Sequence, residues 1–372
     1  MSKTNWPHVL HISSHRSWRG SEQQLAGLLE ELKLNDWPAT ILCRKHSPMR
    51  RFCYRHRIES YPFKKKGFKN MLLGWEIYKL TQKKAFDLVH VHDSDALSAA
   101  IFARRLGMRL PLMVSCPPDK INGHAWLAMR KYNHKAVKAV ICPSKACRDS
   151  LMPVIRKTEV LRQINKGIYL AEQEKVEVPY GRLRREFFVP DNVSLVGNVA
   201  SLTPQKDYAT FLKAAKVMLE ENPGLFFLIV GDGPLRAKTE LQISKMGLKD
   251  QVKITGSRKD LNEVLPQLDV LMHPSLSEGQ GTIIQEAFAA GVPVGAVEAD
   301  GIPEMIEHRR SGMLSPPGDA QKLAENVMEI ITDKALREQI VAGGREKLPG
   351  YARSTNAARF MELYLEMLER KA

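Results

Sequence analysis

The sequence predicts an α/β protein with two successive domains, each built from parallel strands joined by helical crossovers. The chain has 372 residues, a length that suits about two domains. Short apolar runs alternate with helical stretches, which is the pattern of strand–helix–strand units. A polar stretch with two prolines, at 172–191, interrupts this alternation, which then restarts. We therefore expect the domain boundary in that stretch.

The predicted elements follow in order along the chain. In the first half the apolar patterning predicts strands at 9–12, 40–43, 88–91, 112–115 and 137–142, and helices at 21–34, 68–84, 94–106 and 124–135. In the second half it predicts strands at 193–199, 225–230, 252–255, 270–273 and 292–297, and helices at 207–221, 235–246, 282–290, 321–332 and 354–370. Ligands of open α/β sheets bind beyond the carboxyl ends of the strands, so we expect the site there, in a cleft between the domains.

The composition excludes several other classes of protein. With 44% hydrophobic and 26% charged residues, each half can bury an ordinary core, unlike a disordered or fibrous chain. No apolar run approaches the roughly 18 residues of a membrane span, and no signal-peptide core is evident. The five cysteines are odd in number and form no Cys-x-x-Cys pair. We expect reduced thiols, no structural zinc and a cytoplasmic protein.

The charge differs between the two halves. The net charge of the whole chain is +15. Residues 1–185 hold 35 basic and 15 acidic residues, a net charge of +20, which leaves −5 for residues 186–372. A basic first half predicts an anionic partner, such as phosphates, an acidic membrane surface or nucleic acid. A solvated basic face without a partner is the alternative. No recognised nucleic-acid motif accompanies the charge, so nucleic acid is not the expected partner.

The most informative stretch is 277–294, which follows a predicted strand and enters a helix through a Gly-x-Gly turn. Free N–H groups at the start of that helix favour an anion. Gly279 and Gly281 let the backbone approach a ligand closely. Glu286 sits among apolar neighbours, so its carboxylate needs a partner. Ligand hydroxyls such as a ribose diol fit that role, and an arginine or a backbone N–H is the alternative.

This stretch resembles a known family. Glu278 and Glu286, followed by Ala-Gly-Val-Pro-Val, are similar to the E-x7-E motif of retaining GT-B glycosyltransferases, family four in particular. Other segments resemble that family's motifs in the same order: its Gly-Gly-x-Glu loop at 19–22, its Arg-Leu-x-x-x-Lys-Gly segment at 198–207, its Val-Gly-x-Gly-Pro turn at 229–235, and the end of its donor domain at 299–306 and 311–314. The resemblance implies two Rossmann-like domains facing across a cleft. It also implies a last helix that crosses back onto the first domain.

The resemblance implies a domain organisation and a set of site residues. The domains are an acceptor-binding domain at 1–175, a linker at 176–192, a nucleotide-sugar-binding domain at 193–350 and the returning helix at 351–372. Lys206 and Glu278 are the implied catalytic residues, the first neutralising the leaving diphosphate and the second contacting the transferred sugar. Glu286 is implied to hold the ribose. The remaining implied substrate-binding residues are Gly20, Ser201, Gly231, Arg258 near the nucleobase, Gly279, Gln280, Gly281, Thr282 and Ile283.

Two departures from the family pattern stand out. Ser201 replaces an arginine, and Cys116 occupies the region where many members have a histidine. His15, His92 and His124 are alternatives to that histidine, although each also fits a structural role. The family's same-face mechanism uses the donor phosphate as the proton acceptor, so it requires no protein base.

Asp93-Ser94-Asp95 forms a D-x-D triplet, which binds a metal ion in other glycosyltransferases. A helix N-cap is the favoured interpretation, and we expect no metal and no cofactor. The segment 63–75 mixes lysines with Phe, Met, Leu and Trp and fits an anionic membrane surface, or else a solvated crossover helix.

Together these features predict a retaining hexosyltransferase that uses a nucleotide sugar, with UDP as the expected nucleotide. The expected acceptor is an anionic or lipid-linked glycan such as a lipopolysaccharide core, reached from the cytoplasmic face of the membrane. A soluble transferase acting on a small phosphorylated acceptor is one alternative. A degenerate protein that binds nucleotide sugar without turnover is the other.

Overall fold

The structure, a computed structural model, describes residues 6–18, 20–64, 69–115, 130–170, 181–278 and 281–369. The chain divides into two compact units. The N-terminal unit comprises residues 1–169 and 352–372, and the C-terminal unit comprises residues 170–351. Each is an α/β unit with its own parallel sheet.

The N-terminal unit contains a seven-stranded sheet in the order β3-β2-β1-β4-β5-β6-β7, and every strand pair is parallel. Its strands are β1 (Val9–Ser13), β2 (Ala39–Arg44), β3 (Ser60–Phe63), β4 (Leu88–Val91), β5 (Leu112–Ser115), β6 (Val137–Cys142) and β7 (Leu161–Gln163). Its helices are α1 (Gly20–Leu34), α2 (Pro48–Arg55), α3 (Lys69–Lys83), α4 (Ser94–Arg105), α5 (Lys145–Leu151) and the C-terminal α14 (Arg353–Glu369).

The C-terminal unit contains a six-stranded sheet, also wholly parallel, in the order β10-β9-β8-β11-β12-β13. Its strands are β8 (Ser194–Val199), β9 (Leu225–Val230), β10 (Val252–Gly256), β11 (Val270–His273), β12 (Val294–Val297) and β13 (Met313–Ser315). Its helices are α6 (Arg182–Glu186), α7 (Tyr208–Glu221), α8 (Arg236–Lys245), α9 (Leu261–Val264), α10 (Thr282–Ala290), α11 (Ile302–Met305), α12 (Ala320–Thr332) and α13 (Lys334–Glu346).

The strand orders explain where a site can form. In each sheet the chain first winds outward in one direction and then returns to the centre and winds in the other. The reversal lies between β1 and β4 in the N-terminal sheet and between β8 and β11 in the C-terminal sheet. At such a reversal the loops leave neighbouring strands in opposite directions and leave a crevice at the carboxyl ends.

The returning C-terminal helix is confirmed. Helix α14 packs on α1 and presents Tyr364, which is completely buried, to the N-terminal core. The Tyr364 hydroxyl lies 2.9 Å from His90 Nδ1. Arg353 of α14 also forms an ion pair with Glu30 of α1 at 3.3 Å. This helix therefore completes the core of a sheet that was formed by the opposite end of the chain.

The structure also corrects the sequence-based assignment of elements. The sequence analysis lacks the short or edge strands β3, β7 and β13 and the short helices α2, α5, α9 and α11, because such elements carry weak periodicity. It also lacks the 13-residue helix α13. Residues 182–186 of the predicted linker form helix α6 instead. There Arg184 is buried and donates hydrogen bonds to Pro190 O, Val193 O and Asp269. A charged side chain satisfied in this way belongs to the fold of the C-terminal unit.

Candidate active site on the C-terminal unit

Two loops meet at the strand reversal of the C-terminal unit. One follows β8 and carries Lys206, and the other follows β11 and carries Glu278. The loops are joined where the Leu276 N–H donates to Gln205 O at 2.9 Å. The sequence-predicted catalytic pair, 72 residues apart in the chain, is thus brought to one place by the sheet topology.

Lys206 and Glu278 form an ion pair. Lys206 Nζ contacts Glu278 Oε1, and the two side chains are only 17% and 14% exposed. A pair this shielded is screened less by salt than a surface pair, because little water surrounds it. The ion pair thus places a cation and a carboxylate together next to the start of α10.

The backbone at Glu278 is anchored independently of its side chain. The Asp300 carboxylate accepts from the Glu278 N–H at 3.1 Å and from Ser277 Oγ at 2.7 Å. The Gly301 N–H in turn donates to Glu278 O at 3.1 Å. Asp300 adopts a positive φ of 45°, a conformation that few residue types other than glycine favour. These contacts fix the loop while leaving the Glu278 carboxylate to interact with Lys206.

His273 was not identified as a site residue from the sequence. It ends β11, is completely buried, and places Nε2 3.3 Å from Glu278 Oε1. Burial, and then the positive charge of Lys206, lowers the pKa of His273 to about 3. The imidazole is therefore neutral at neutral pH, and its contact with Glu278 is not an ion pair. A histidine that ends an apolar strand five residues before Glu278 was the available signal.

Gly231 holds the neighbouring loop close. The Ala200 and Leu202 backbones after β8 bond to the Val230 and Asp232 backbones after β9. A Cβ added at Gly231 would lie 1.9 Å from Ala200 O, so no other residue fits there without moving the backbone. Ser201, at this junction, is exposed. The neutral Ser201 side chain does not supply the positive charge that the arginine of the family pattern has at this position.

Helix α10 begins beside this pair. Gly281 precedes its first residue, and among the described residues no side chain caps its N-terminus. Thr282 and Ile283 form its first turn and are half-buried, as is Glu286 one turn later. Glu286 is thus not buried among its apolar neighbours as the sequence predicts, and the buried polar residue of this helix is Gln285. The predicted positions Gly279 and Gln280 lie outside the described residues.

Arg258 follows β10 in a different charged group. Its guanidinium bonds to both Asp260 carboxylate oxygens and to Glu186, and these bonds raise its pKa further above its usual range. Glu186 belongs to α6, so this group joins the former linker segment to the loop after β10. The assignment of Arg258 to the nucleobase remains a prediction.

The remaining predicted positions belong to the N-terminal unit. Gly20 starts α1 and is exposed. Next to it Glu22 is buried and is bonded by Ser13, Ser21 and His15. Burial raises the pKa of Glu22, but these hydrogen bonds outweigh that effect and leave the pKa below its usual value. His15 is therefore engaged with a carboxylate, while Cys116 and His124 lie outside the described residues.

A histidine cluster lies at the strand reversal of the N-terminal unit. His11 and His90 are paired neighbours on β1 and β4, and His92 follows β4. His11 Nδ1 lies 3.0 Å from His92 Nε2, and one nitrogen from each of the three rings lies within 4.8 Å of the other two. Such spacing suits a metal ion, but both His90 nitrogens are already bonded, to Tyr364 and Ser115. We interpret the cluster as a buried polar network.

The D-x-D triplet caps a helix. Asp93 is the N-cap of α4 and accepts from the Ala96 N–H at 2.8 Å, and it also accepts from the Ser14 N–H and hydroxyl, each at 2.7 Å. The N-cap is thus Asp93, the first residue of the triplet. All described helices are also too short or too polar to cross a membrane.

Known proteins match both units. The family described as glycosyl transferases group 1 matches residues 181–347, and the family described as glycosyltransferase family 4 matches residues 18–171. The curated 2-deoxystreptamine glucosyltransferase of Streptomyces kanamyceticus is 31% identical over 291 residues, which is 73% of this chain and 75% of the relative. This chain belongs to glycosyltransferase family 4.

One further sequence relative and one solved structure are also similar to this family 4 glycosyltransferase. An Escherichia coli UDP-Gal:alpha-D-GlcNAc-diphosphoundecaprenol alpha-1,3-galactosyltransferase is 25% identical over 315 residues, or 79% of each chain. The crystal structure of Anabaena HepE in complex with UDP and glucose superposes with a TM-score of 0.84 at 22% identity, covering 97% of this chain and 100% of HepE. The structural likeness confirms the GT-B fold.

Proposed function

We propose that this family 4 glycosyltransferase moves a hexose, with retention at the anomeric carbon, from a UDP-sugar to an anionic or lipid-linked glycan. The observation that carries the proposal is the shielded Lys206–Glu278 pair at the strand reversal, beside the uncapped start of α10. The choice of UDP as the donor nucleotide is supported by the structural neighbour HepE, which was solved with UDP and glucose.

Each group has a role in the proposed reaction. The bond between the anomeric carbon and the diphosphate oxygen breaks, and negative charge develops on that oxygen. Lys206 and the first N–H groups of α10 stabilise that charge, an effect that typically contributes several kcal/mol in a shielded site. The acceptor hydroxyl attacks from the same face, and its proton passes to the departing phosphate. Glu278 orients the sugar, and Glu286 holds the ribose hydroxyls.

The acceptor proposal rests on the surface of the N-terminal unit. Met71, Leu72 and Trp75 are 52%, 45% and 45% exposed on one face of α3. Lys79 lies over the Trp75 ring, 3.2 Å from its centroid. Exposed apolar side chains beside lysines suit an anionic bilayer surface, which each nearby lysine favours by about 1 kcal/mol. The Escherichia coli relative, whose substrate name includes diphosphoundecaprenol, supports a lipid-linked acceptor.

A thermal-shift panel tests the donor proposal. Wild type and Glu286→Ala are heated with UDP-, GDP-, ADP- and dTDP-sugars, with the exposed Glu338→Ala on α13 as a matched control. We expect a UDP-sugar to stabilise wild type and the control but not Glu286→Ala, since bound ligand raises stability by mass action. No shift with any donor would contradict the nucleotide-sugar proposal, whereas a shift without turnover would favour the degenerate, non-catalytic alternative. Turnover that persists in EDTA is expected if no metal is required.

Vesicle flotation tests the acceptor side. Phosphatidylcholine vesicles are compared with vesicles that also contain phosphatidylglycerol. We expect wild type and Leu34→Ser, whose side chain is exposed on α1, to float only with the anionic vesicles. The double variant Met71→Ser with Trp75→Ser should float less. Absence of flotation by wild type would favour a soluble phosphorylated acceptor instead.

A further inference from the structure

One buried side chain of the active site has no role in the proposed reaction. His273 is completely buried, yet within the described ranges neither of its ring nitrogens has a hydrogen-bond partner. Its Nε2 lies 3.3 Å from Glu278 Oε1, but without the alignment of a hydrogen bond. Buried polar groups without partners are unfavourable and rare, so this one calls for an explanation.

The pairing of Lys206 with Glu278 means that Glu278 needs a second partner when a diphosphate binds Lys206. Lys206 Nζ contacts the same Glu278 oxygen that His273 approaches. In the proposed reaction Lys206 must turn to the diphosphate. Glu278 then loses its positive neighbour at the moment when more negative charge arrives. A shielded carboxylate in that state is strongly unfavourable unless another donor reaches it.

We propose that His273 is a positioning residue, which donates Nε2–H to Glu278 when the diphosphate draws Lys206 away and so aims the carboxylate at the transferred sugar. This inference rests on the proposed function. The change required is small, because the two atoms are already 3.3 Å apart. The Glu278 backbone can stay in place, since Asp300 holds its N–H.

The chemistry of His273 suits this exchange. Because the side chain is neutral, it supplies one N–H without placing a second positive charge beside Lys206. Neither nitrogen is committed to another described group, so the proton can occupy Nε2. A charged residue at this buried position would be costly before the ligand binds.

The test compares UDP-glucose with UDP, because only UDP-glucose presents a sugar to Glu278. Calorimetry measures both affinities for wild type and for His273→Leu, His273→Gln and Ser275→Ala. Gln can place an N–H near the position of Nε2, whereas Leu cannot. Ser275 is a second buried group whose hydroxyl has no described partner, and it serves as the matched control. Thermal unfolding without ligand reports the folding of each variant.

We expect His273→Leu to weaken UDP-glucose about tenfold more than UDP, the size typical of a hydrogen bond to a charged group. Gln should restore most of that preference, and Ser275→Ala should retain all of it. Equal weakening of both ligands, or equal behaviour of the Leu and Gln variants, would overturn the proposal. Failure of wild type to bind either ligand would instead remove the UDP-sugar function on which it rests.

Discussion

The two strand reversals of this protein share one topology but present different chemistry. In the N-terminal unit the reversal between β1 and β4 holds three histidines, and His90 uses both ring nitrogens on Tyr364 and Ser115. In the C-terminal unit the reversal between β8 and β11 holds Lys206, Glu278 and His273. At the first reversal neutral histidines bond to the fold and to each other, and only His11 Nε2 among their described contacts lacks a partner. At the second reversal a lysine and a carboxylate pair with each other beside a neutral histidine.

This difference explains why we propose the C-terminal reversal, and not the N-terminal one, as the reaction site. Polar groups that are satisfied by the fold, as at His90, stabilise it and have no capacity left for a ligand. In an ion pair such as Lys206 with Glu278, one member can exchange its partner for a ligand group of the same charge as that partner. Lys206 can thus exchange the Glu278 carboxylate for a phosphate. The topology provides the crevice, and the bonding state of the side chains determines what it can do.

The largest expected effect breaks the charged site. Lys206→Met should slow UDP release from UDP-glucose about 10²- to 10³-fold, since it removes a group that stabilises the departing charge. Lys206→Arg should recover part of the rate because it keeps the charge. Lys238→Met, an exposed lysine on α8, is the control and should retain the wild-type rate. A normal rate in Lys206→Met would contradict the site assignment.

The loop next to this site should be intolerant of a methyl group. Gly231→Ala should lower the free energy of unfolding of the C-terminal unit by about 3 kcal/mol, because the new Cβ meets Ala200 O of the backbone. Urea unfolding followed by circular dichroism measures the change. Gly350→Ala, whose Cβ would have nothing within 4 Å, should have a much smaller effect. Equal losses at the two positions would show that the approach of the loops is looser than described.

Acidification should sharpen the comparison between the units. Burial lowers the pKa of His11 and His273 to about 3, and burial with neighbouring histidines lowers the pKa of His90 and His92 well below its usual value. The unfolded chain therefore takes up protons below about pH 6.5 that the folded chain refuses, so stability falls as the pH drops from there.

Three of these four histidines lie in the N-terminal unit, a difference of two groups, so between pH 6.5 and pH 5.5 that unit should lose about 2 kcal/mol more than the C-terminal unit. Hydrogen exchange of β1 and β4 against β8 and β11, at pH 6.5 and pH 5.5, measures the difference. Equal loss of protection in both sheets would contradict the neutral, buried state of the cluster.

The smallest expected effect concerns the bond of the C-terminal helix to the N-terminal sheet. Tyr364→Phe leaves His90 Nδ1 buried without its partner and should destabilise the N-terminal unit by about 1–2 kcal/mol. The control Tyr54→Phe alters an 85% exposed ring and should change nothing measurable. Unchanged urea unfolding of the Tyr364 variant would indicate that another group satisfies His90.

The sequence by itself determined the two parallel α/β units, the family, and the loops that carry Lys206 and Glu278. Apolar runs such as 225–230 and the motif around Glu278 are local features, and such features can be recognised in the sequence without knowledge of the fold. The tertiary structure decided which distant residues meet. Lys206, His90 and Arg184 each meet a residue far along the chain, namely Glu278, Tyr364 and Asp269. No periodicity encodes such pairings, because they arise only when the sheet order brings two loops or two ends of the chain together.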